Sequence, residues 1–169
     1  MIPAMDELRI RAARDRDAEG LISLIETVFS EYPGCVLDVE GEEPELLAID
    51  TRYRARNGRF WVAERAGSIV ASVGVRPGSD AETLELKKLY VARPLRRRGL
   101  GSRLMELAEA KLESLGQKRV ELWSDTRFEN AHRLYERRGY RRSPVTRALQ
   151  DRSQSVEAYF SKEFSGGAL

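Results

Sequence analysis

From Leu8 to Ala12 apolar and polar residues alternate, with Leu8, Ile10 and Ala12 set against Arg9 and Arg11. A period of two predicts a half-buried strand. The period then lengthens. Ala18, Leu21, Ile22, Ile25, Val28 and Phe29 recur at helical spacing, with Asp15 as the expected cap and Tyr32-Pro33-Gly34 as the stop. A second helix is predicted from about Pro44 to Arg56, carrying Leu46, Ile49 and Tyr53 on its apolar face and closed by Asn57-Gly58. Strand-like runs follow at Phe60 to Glu64 and Ile69 to Val75, around the turn residues Arg65-Ala66-Gly67-Ser68, which read as a hairpin. Pro77-Gly78-Ser79-Asp80 marks another turn before a run from Glu82 to Val91. A helix is predicted from about Gly99 to Leu115, with Leu104, Leu107, Ala108, Leu112 and Leu115 on one face and Gly116 as its stop. Val120 to Trp123 is a strand, and Asn130 to Arg138 a short helix ended by Gly139. Strands near Thr146 to Leu149 and Val156 to Phe160 complete the pattern. No linker or repeat interrupts it. The order predicts one α/β domain over residues 1–169, a mixed sheet with helices on its faces rather than a regular βαβ repeat.

Composition narrows the chemistry. The 169 residues are 41% hydrophobic and 33% charged, enough for one ordinary core. With 29 Lys+Arg against 27 Asp+Glu the net charge is +2, so any anion contact must be local. One cysteine, Cys35, and one histidine, His132, leave no disulfide framework and no Cys/His metal site, so no metal is expected. No apolar run is long enough to span a bilayer. Met1 to Asp6 lacks the basic and apolar regions of a secretory leader, and the expectation is a soluble cytoplasmic protein without membrane contact.

The most informative stretch is Glu85-Leu86-Lys87-Lys88-Leu89-Tyr90-Val91, then Arg93-Pro94, then Arg96-Arg97-Arg98-Gly99-Leu100-Gly101. It reads as strand, loop and helix start. Free backbone N–H groups and the helix dipole make such a junction an anion site, and glycine lets a phosphate approach the main chain. No Gly-Lys-Ser/Thr follows, so it is not a Walker A loop. Leu84 and Leu86 have one parity and Leu89 and Val91 the other. Both pairs reach one face only if an extra residue intervenes, which predicts a β-bulge near Lys87-Lys88. A strand buried on both faces would show the same residues.

Arg96-x-x-Gly99-x-Gly101 after a strand resembles the acyl-coenzyme A signature of the GNAT superfamily of N-acetyltransferases. Leu134-Tyr135-Glu136-x-x-Gly139-Tyr140 resembles that superfamily's second common stretch, and the order of elements is similar over nearly the whole chain. The resemblance implies a GNAT-like fold, a sheet of about seven mostly antiparallel strands flanked by about four helices. It implies acetyl-CoA as co-substrate. The backbone N–H groups of Arg97, Arg98, Gly99, Leu100, Gly101 and Ser102 would cradle the pyrophosphate, Leu89, Tyr90 and Val91 would lie along the pantetheine arm, and Arg96 and Phe128 are further expected coenzyme contacts. Many relatives carry a coenzyme-contacting asparagine seven residues before the helix tyrosine; here that position is Phe128, with Asn130 nearby but out of register.

The implied reaction is direct transfer of acetyl to a primary amine in a ternary complex, the acceptor being a small molecule or a protein amine. An alkylammonium, with a pKa of about 10.4, must lose a proton first. Glu85, six residues before Val91, is similar to the base of histone-acetylating relatives; a surface glutamate is the plain alternative. Tyr135 resembles the superfamily's usual acid at the departing sulfur; a core tyrosine is the alternative. His132 is a candidate coenzyme contact or base, against an ordinary exposed or capping histidine. Asp125 and Ser124 end a central strand where ligands often bind, and Thr126-x-x-Glu129 fits a helix capping box. Glu31, Asp38, Glu40, Glu42, Glu43 and Glu45 make the stretch between the first helices acidic. The competing readings are a catalytically silent acyl-CoA-binding sensor or scaffold, and a nucleic-acid binder using Arg93, Arg96, Arg97, Arg98 and Arg103; the charge balance disfavours the second. A homodimer through the C-terminal strands is a further expectation.

Overall fold

The computed structural model describes residues 7–164; the Met1 to Asp6 stretch considered above lies outside the described residues. One seven-stranded sheet carries the fold. Its strands are β1 (Arg9–Ala12), β2 (Arg59–Arg65), β3 (Ser68–Pro77), β4 (Thr83–Val91), β5 (Arg119–Asp125), β6 (Arg141–Ala148) and β7 (Val156–Glu163), in the spatial order β1-β2-β3-β4-β5-β7-β6. Every neighbouring pair is antiparallel except β4 and β5, which run parallel. The helices are α1 (Ala18–Phe29), α2 (Ile49–Arg54), α3 (Leu100–Ser114) and α4 (Glu129–Arg137). The expected mixed architecture and element order are both present.

Two apolar layers sandwich the sheet. Leu84, Leu86, Val120 and Leu122 of the central strands pack with Leu104, Met105, Ala108 and Leu112 of α3 and with Tyr135 of α4. On the opposite face Leu21 and Ile25 of α1 meet Leu46, Ile49, Tyr53, Phe60 and Val62. The β2–β3 turn has Ala66 at φ 50° and Gly67 at φ 77°, consecutive positive values that match the twist of a tight hairpin.

Three local expectations are corrected. Asp15 does not cap α1, because the chain enters that helix through a 3-10 turn at Asp15–Asp17. Its carboxylate instead accepts the Thr51 N–H at 2.9 Å and the Thr51 hydroxyl at 2.5 Å, tying down the first turn of α2. The capping box at Thr126 does not form. α4 starts one residue after Phe128, and the Thr126 N–H donates to the Val156 carbonyl at 2.8 Å, joining β5's end to β7. Leu115 is 56% exposed because α3 ends at Ser114; buried Met105 fills the core face instead.

Candidate active site

The site begins where two central strands part. β4 and β5 pair only through Thr83, Leu84 and Glu85 opposite Arg119, Val120 and Glu121. Beyond Glu85 the β5-facing edge of β4 has no strand partner, although β4 runs on to Val91 and β5 to Asp125. The bulge expected from the leucine parity lies in that free stretch. Ser72 pairs with Tyr90 and Gly74 with Lys87, so two residues of β4, Lys88 and Leu89, stand against Val73 alone. Lys88 takes φ 53°, and the Ser72 hydroxyl donates to the Lys88 carbonyl at 2.7 Å. The phase change puts Leu84, Leu86, Leu89 and Val91 against one core layer and Tyr90 against the other.

A groove of about 560 Å³ runs from this opening to the N-terminus of α3. Leu89, Tyr90, Val91, Arg96, Arg97, Gly99, Gly101, Ser102 and Phe128 line it, joined by Asn130, Arg133 and Arg137 of α4. Arg97 at φ 63° and Gly99 at φ 79° turn the chain into the helix. The Arg96 N–H donates to Arg93, and among the described residues the next backbone N–H with an acceptor is Arg103's, to Gly99 at 3.0 Å. The intervening N–H groups from Arg97 to Ser102 sit at the positive end of a 15-residue helix. Gly101 lies so close to α4 that a Cβ there would come within 2.9 Å of Leu134.

Arg96 spends its side chain inside the protein. It grips both Glu31 oxygens at 2.6 and 2.7 Å and donates to the Val91 carbonyl at 2.9 Å, fastening the loop to the turn that follows α1. The Glu31 hydrogen bond, outweighing burial, lifts its pKa above the ordinary arginine value. Arg98 is exposed outside the groove lining, and Leu100 is buried in the core. Phe128 stands in an aromatic wall with Tyr32 at 4.8 Å, Phe29 at 6.0 Å and Tyr90 at 6.5 Å.

Leu89, Tyr90 and Phe128 also line a second, smaller cavity of about 140 Å³ at the bulge. Tyr135 faces it, 4% exposed, and burial drives its phenol pKa well above the usual value. His132 does not reach either space. Its ring lies 5.0 Å from Phe160, with Nε2 3.1 Å from the Ser124 hydroxyl, and burial followed by the Arg142 charge lowers its pKa. Cys35 lines the bulge cavity, and no hydrogen bond joins it to His132 among the described residues. Asp125 is engaged by Arg127, at 2.9 and 2.7 Å, and by the Arg127 N–H. Burial opposes its ionisation, but these bonds prevail and hold its pKa below the usual carboxylate range.

Sequence reasoning missed Lys88. Its side chain is 6% exposed and paired with Glu43 and, at 3.2 Å, with Glu45, both from the acidic stretch after α1. Burial would strip the proton, but the two carboxylates outweigh it and keep the ammonium pKa above its ordinary value. A Lys-Lys pair on a strand reads as surface; only the bulge reveals that one of them turns inward. Arg133 and Arg137, one helical turn apart on α4, also line the groove and were not singled out from the sequence.

Glu85 lies in a third space, an open cleft of about 660 Å³ reached past Trp123, which also lines the bulge cavity. Arg76 donates to Glu85 at 3.1 Å, and Lys87 is 3.9 Å away. The groove and the bulge cavity share Leu89, Tyr90 and Phe128 as walls, and the bulge cavity and the cleft share Trp123.

A family model described as the acetyltransferase (GNAT) family matches residues 21–140, from α1 to the end of the second sequence motif. The chain belongs to the GNAT family. As a GNAT member it is an acetyl-CoA-dependent acyltransferase. It is 29% identical over 129 residues to the uncharacterised N-acetyltransferase YjgM of Escherichia coli K12, covering 74% of this chain and 77% of that protein. It is 36% identical over 143 residues to the aminoalkylphosphonate N-acetyltransferase of Salmonella typhimurium LT2, covering 82% and 88%. The chain spans about half the length (54%) of another relative, the probable N-acetyltransferase camello of Xenopus tropicalis, at 34% identity over 120 residues. Its fold is shared with the PaiA N-acetyltransferase of Thermoplasma acidophilum, crystallised with coenzyme A, at a TM-score of 0.71 and 18% identity over 94% of this chain and 99% of that one. Among the described residues no helix is long and apolar enough to cross a membrane, and no three metal-ligating side chains cluster.

Proposed function

We propose that this protein moves an acetyl group from acetyl-CoA to a primary amine by direct attack, with the donor in the groove and the acceptor arriving through the Glu85 cleft. The observation that carries the reading is the parting of β4 and β5 beside a helix N-terminus with free N–H groups. The groove residues fit the donor. The N–H groups of Arg97 to Ser102 would hold the pyrophosphate, helped by exposed Arg97 and by Arg133 and Arg137. The unpaired edge of β4 at Leu89 to Val91 would take the pantetheine arm as an added strand; the Val91 carbonyl is already bonded to Arg96, which leaves Leu89 the freer main chain. Acetyl-CoA supplies the activated acetyl thioester.

The acceptor nitrogen must reach the thioester carbon as a free amine. Glu85 accepts the proton, directly or through water, from the cleft side of the parting. A main-chain N–H at the Lys88-Leu89 bulge polarises the acetyl oxygen. As the carbon–sulfur bond breaks, Tyr135 gives its phenolic proton to the leaving thiolate; burial keeps that phenol protonated until then. Acetyl stays on nitrogen, the second proton of that nitrogen returns to the Tyr135 phenolate directly or through water, and the amide and the thiol both leave neutral. His132, buried behind β5, supports Ser124 and takes no proton in this scheme.

The test is release of free coenzyme A thiol from acetyl-CoA against a panel of amines, with aminoalkylphosphonates, named for the Salmonella relative, among the first acceptors. Thiol release that requires an amine supports the reading. Acetyl-CoA binding without turnover of any amine would favour the silent sensor instead.

A further inference from the structure

The Glu85 cleft has a polarity that the transfer reaction alone does not use. Arg56, Arg76 and Arg147 line it with the carboxylates Glu85 and Glu121. Glu121 is occupied: it accepts the Ser79 N–H at 2.6 Å, the Ser79 hydroxyl at 3.1 Å and the Tyr159 hydroxyl at 2.7 Å. Arg147 is occupied as well, bonded to Glu157 at 2.8 Å and stacked 4.1 Å over Trp123. Among the described residues Arg76 donates only from its Nε, to Glu85, and its terminal nitrogens have no partner. Arg56 makes no side-chain hydrogen bond or salt bridge among the described residues.

A second, smaller cavity of about 170 Å³ adjoins the cleft through these same two arginines. Arg52 lines it, also without a partner among the described residues, as do Glu45 and Tyr53. Tyr53 is 4% exposed and its hydroxyl is buried with no hydrogen-bond partner. Burial pushes that phenol up to about 12, so it is a donor at neutral pH. The cleft thus has a carboxylate next to the parted strands and arginine N–H donors at its lip, and the adjoining smaller cavity adds the Arg52 guanidinium beside the buried Tyr53 hydroxyl.

We propose that Arg56 and Arg76, backed by Arg52 and the Tyr53 hydroxyl, form an oxyanion subsite for the acceptor, which carries an amine at one end and a phosphonate or carboxylate at the other. This rests on the acetyl-transfer reading above. The amine points to Glu85 and the anion to the arginines, and guanidinium forks suit such planar or tripod oxyanions.

The experiment pairs kinetics with direct binding. Wild type and Arg56→Ala are assayed with 2-aminoethylphosphonate and with propylamine, and calorimetry follows ethylphosphonate binding to both proteins. The expected result is a wild-type preference in kcat/KM for the aminophosphonate that falls about 10-fold or more in Arg56→Ala, the scale of one charge-assisted contact. Ethylphosphonate should bind wild type, compete with the amine, and bind Arg56→Ala more weakly. Tyr53→Phe, which leaves the fold's apolar contacts in place, should weaken ethylphosphonate in the same direction. Equal use of both amines by wild type, or ethylphosphonate binding indifferent to Arg56, overturns the subsite and leaves acetyl transfer standing. Ethylphosphonate that binds and needs Arg56 but inhibits without competing with the amine marks a free-anion effector site and overturns the acceptor assignment. Acetyl-CoA turnover absent with every amine, with Arg56-dependent anion binding intact, retains the anion site and removes the transfer reading.

Discussion

Lys88→Met is the perturbation whose size follows most directly from the structure. Methionine keeps an unbranched stem in the same space and removes only the ammonium. The variant leaves Glu43 and Glu45 facing each other without their shared cation, with side chains 30% and 27% exposed. Breaking a fully buried pair costs about 3–5 kcal/mol; partial hydration of these carboxylates reduces the expectation to about 2 kcal/mol. For a chain of this size that is a fall in Tm of about 4–8 °C. The pH dependence gives the sign. Burial raises the Glu45 pKa, but Lys88 and neighbouring donors outweigh it and the carboxyl is depressed. Its contribution is therefore complete above the ordinary glutamate value of about 4.3 and is lost as pH falls through the depressed folded value. In Lys88→Met that carboxyl is no longer depressed, so wild type loses more stability in acid and the gap between the two proteins narrows. Urea unfolding at pH 7 and pH 4 measures both. A loss under about 0.5 kcal/mol at pH 7, or a gap that does not shrink at pH 4, would refute the buried triad.

Tyr135→Phe should lower kcat by roughly 10²-fold with little change in the KM for acetyl-CoA, measured by thiol release. Gly99→Ala meets no atom within 4 Å but must hold φ +79°, so it should cost about 1 kcal/mol in unfolding free energy and weaken acetyl-CoA binding in a titration. Ser72→Ala removes the hydroxyl that holds the bulge carbonyl of Lys88; about 1–3 kcal/mol of stability should be lost in urea unfolding, with a drop in kcat. His132 has a depressed pKa because it is buried, so stability should begin to fall as pH drops below the ordinary value of about 6.5; pH-dependent melting of His132→Gln should show a shallower decline there.

Periodicity carried most of the fold. The inward Leu8 and Ile10 and the helical spacing of Leu104, Ala108 and Leu112 respond to one strong force, burial of an apolar face, whereas at the end of β1 Ala12 is exposed and Arg11 is half-buried against Asp17 and Glu64. The parity change between Leu86 and Leu89 went further and located a bulge, because a strand cannot reverse its faces without an added residue. What stayed hidden depends on partners distant in sequence. Nothing near Lys88 announces Glu43 and Glu45, and Arg96 reads as a phosphate ligand until Glu31, 65 residues away, is seen to hold it. Asp15 and Thr126 looked like caps by local spacing, but tertiary bonds to Thr51 and Val156 took them elsewhere. His132 shares a helix with Tyr135, and a spacing of three residues could not say that one faces the cavity and the other the Ser124–Phe160 core.

In the proposed complex acetyl-CoA lies across the parted strands with its pyrophosphate on the turn into α3. Amide NMR of the labelled protein titrated with acetyl-CoA reads that turn residue by residue. The largest shifts are expected at the N–H groups of Arg97 to Ser102, with a second set at Leu89 to Val91 along the free edge of β4. Saturating acetyl-CoA that leaves those amides unmoved, or moves amides elsewhere instead, would contradict it.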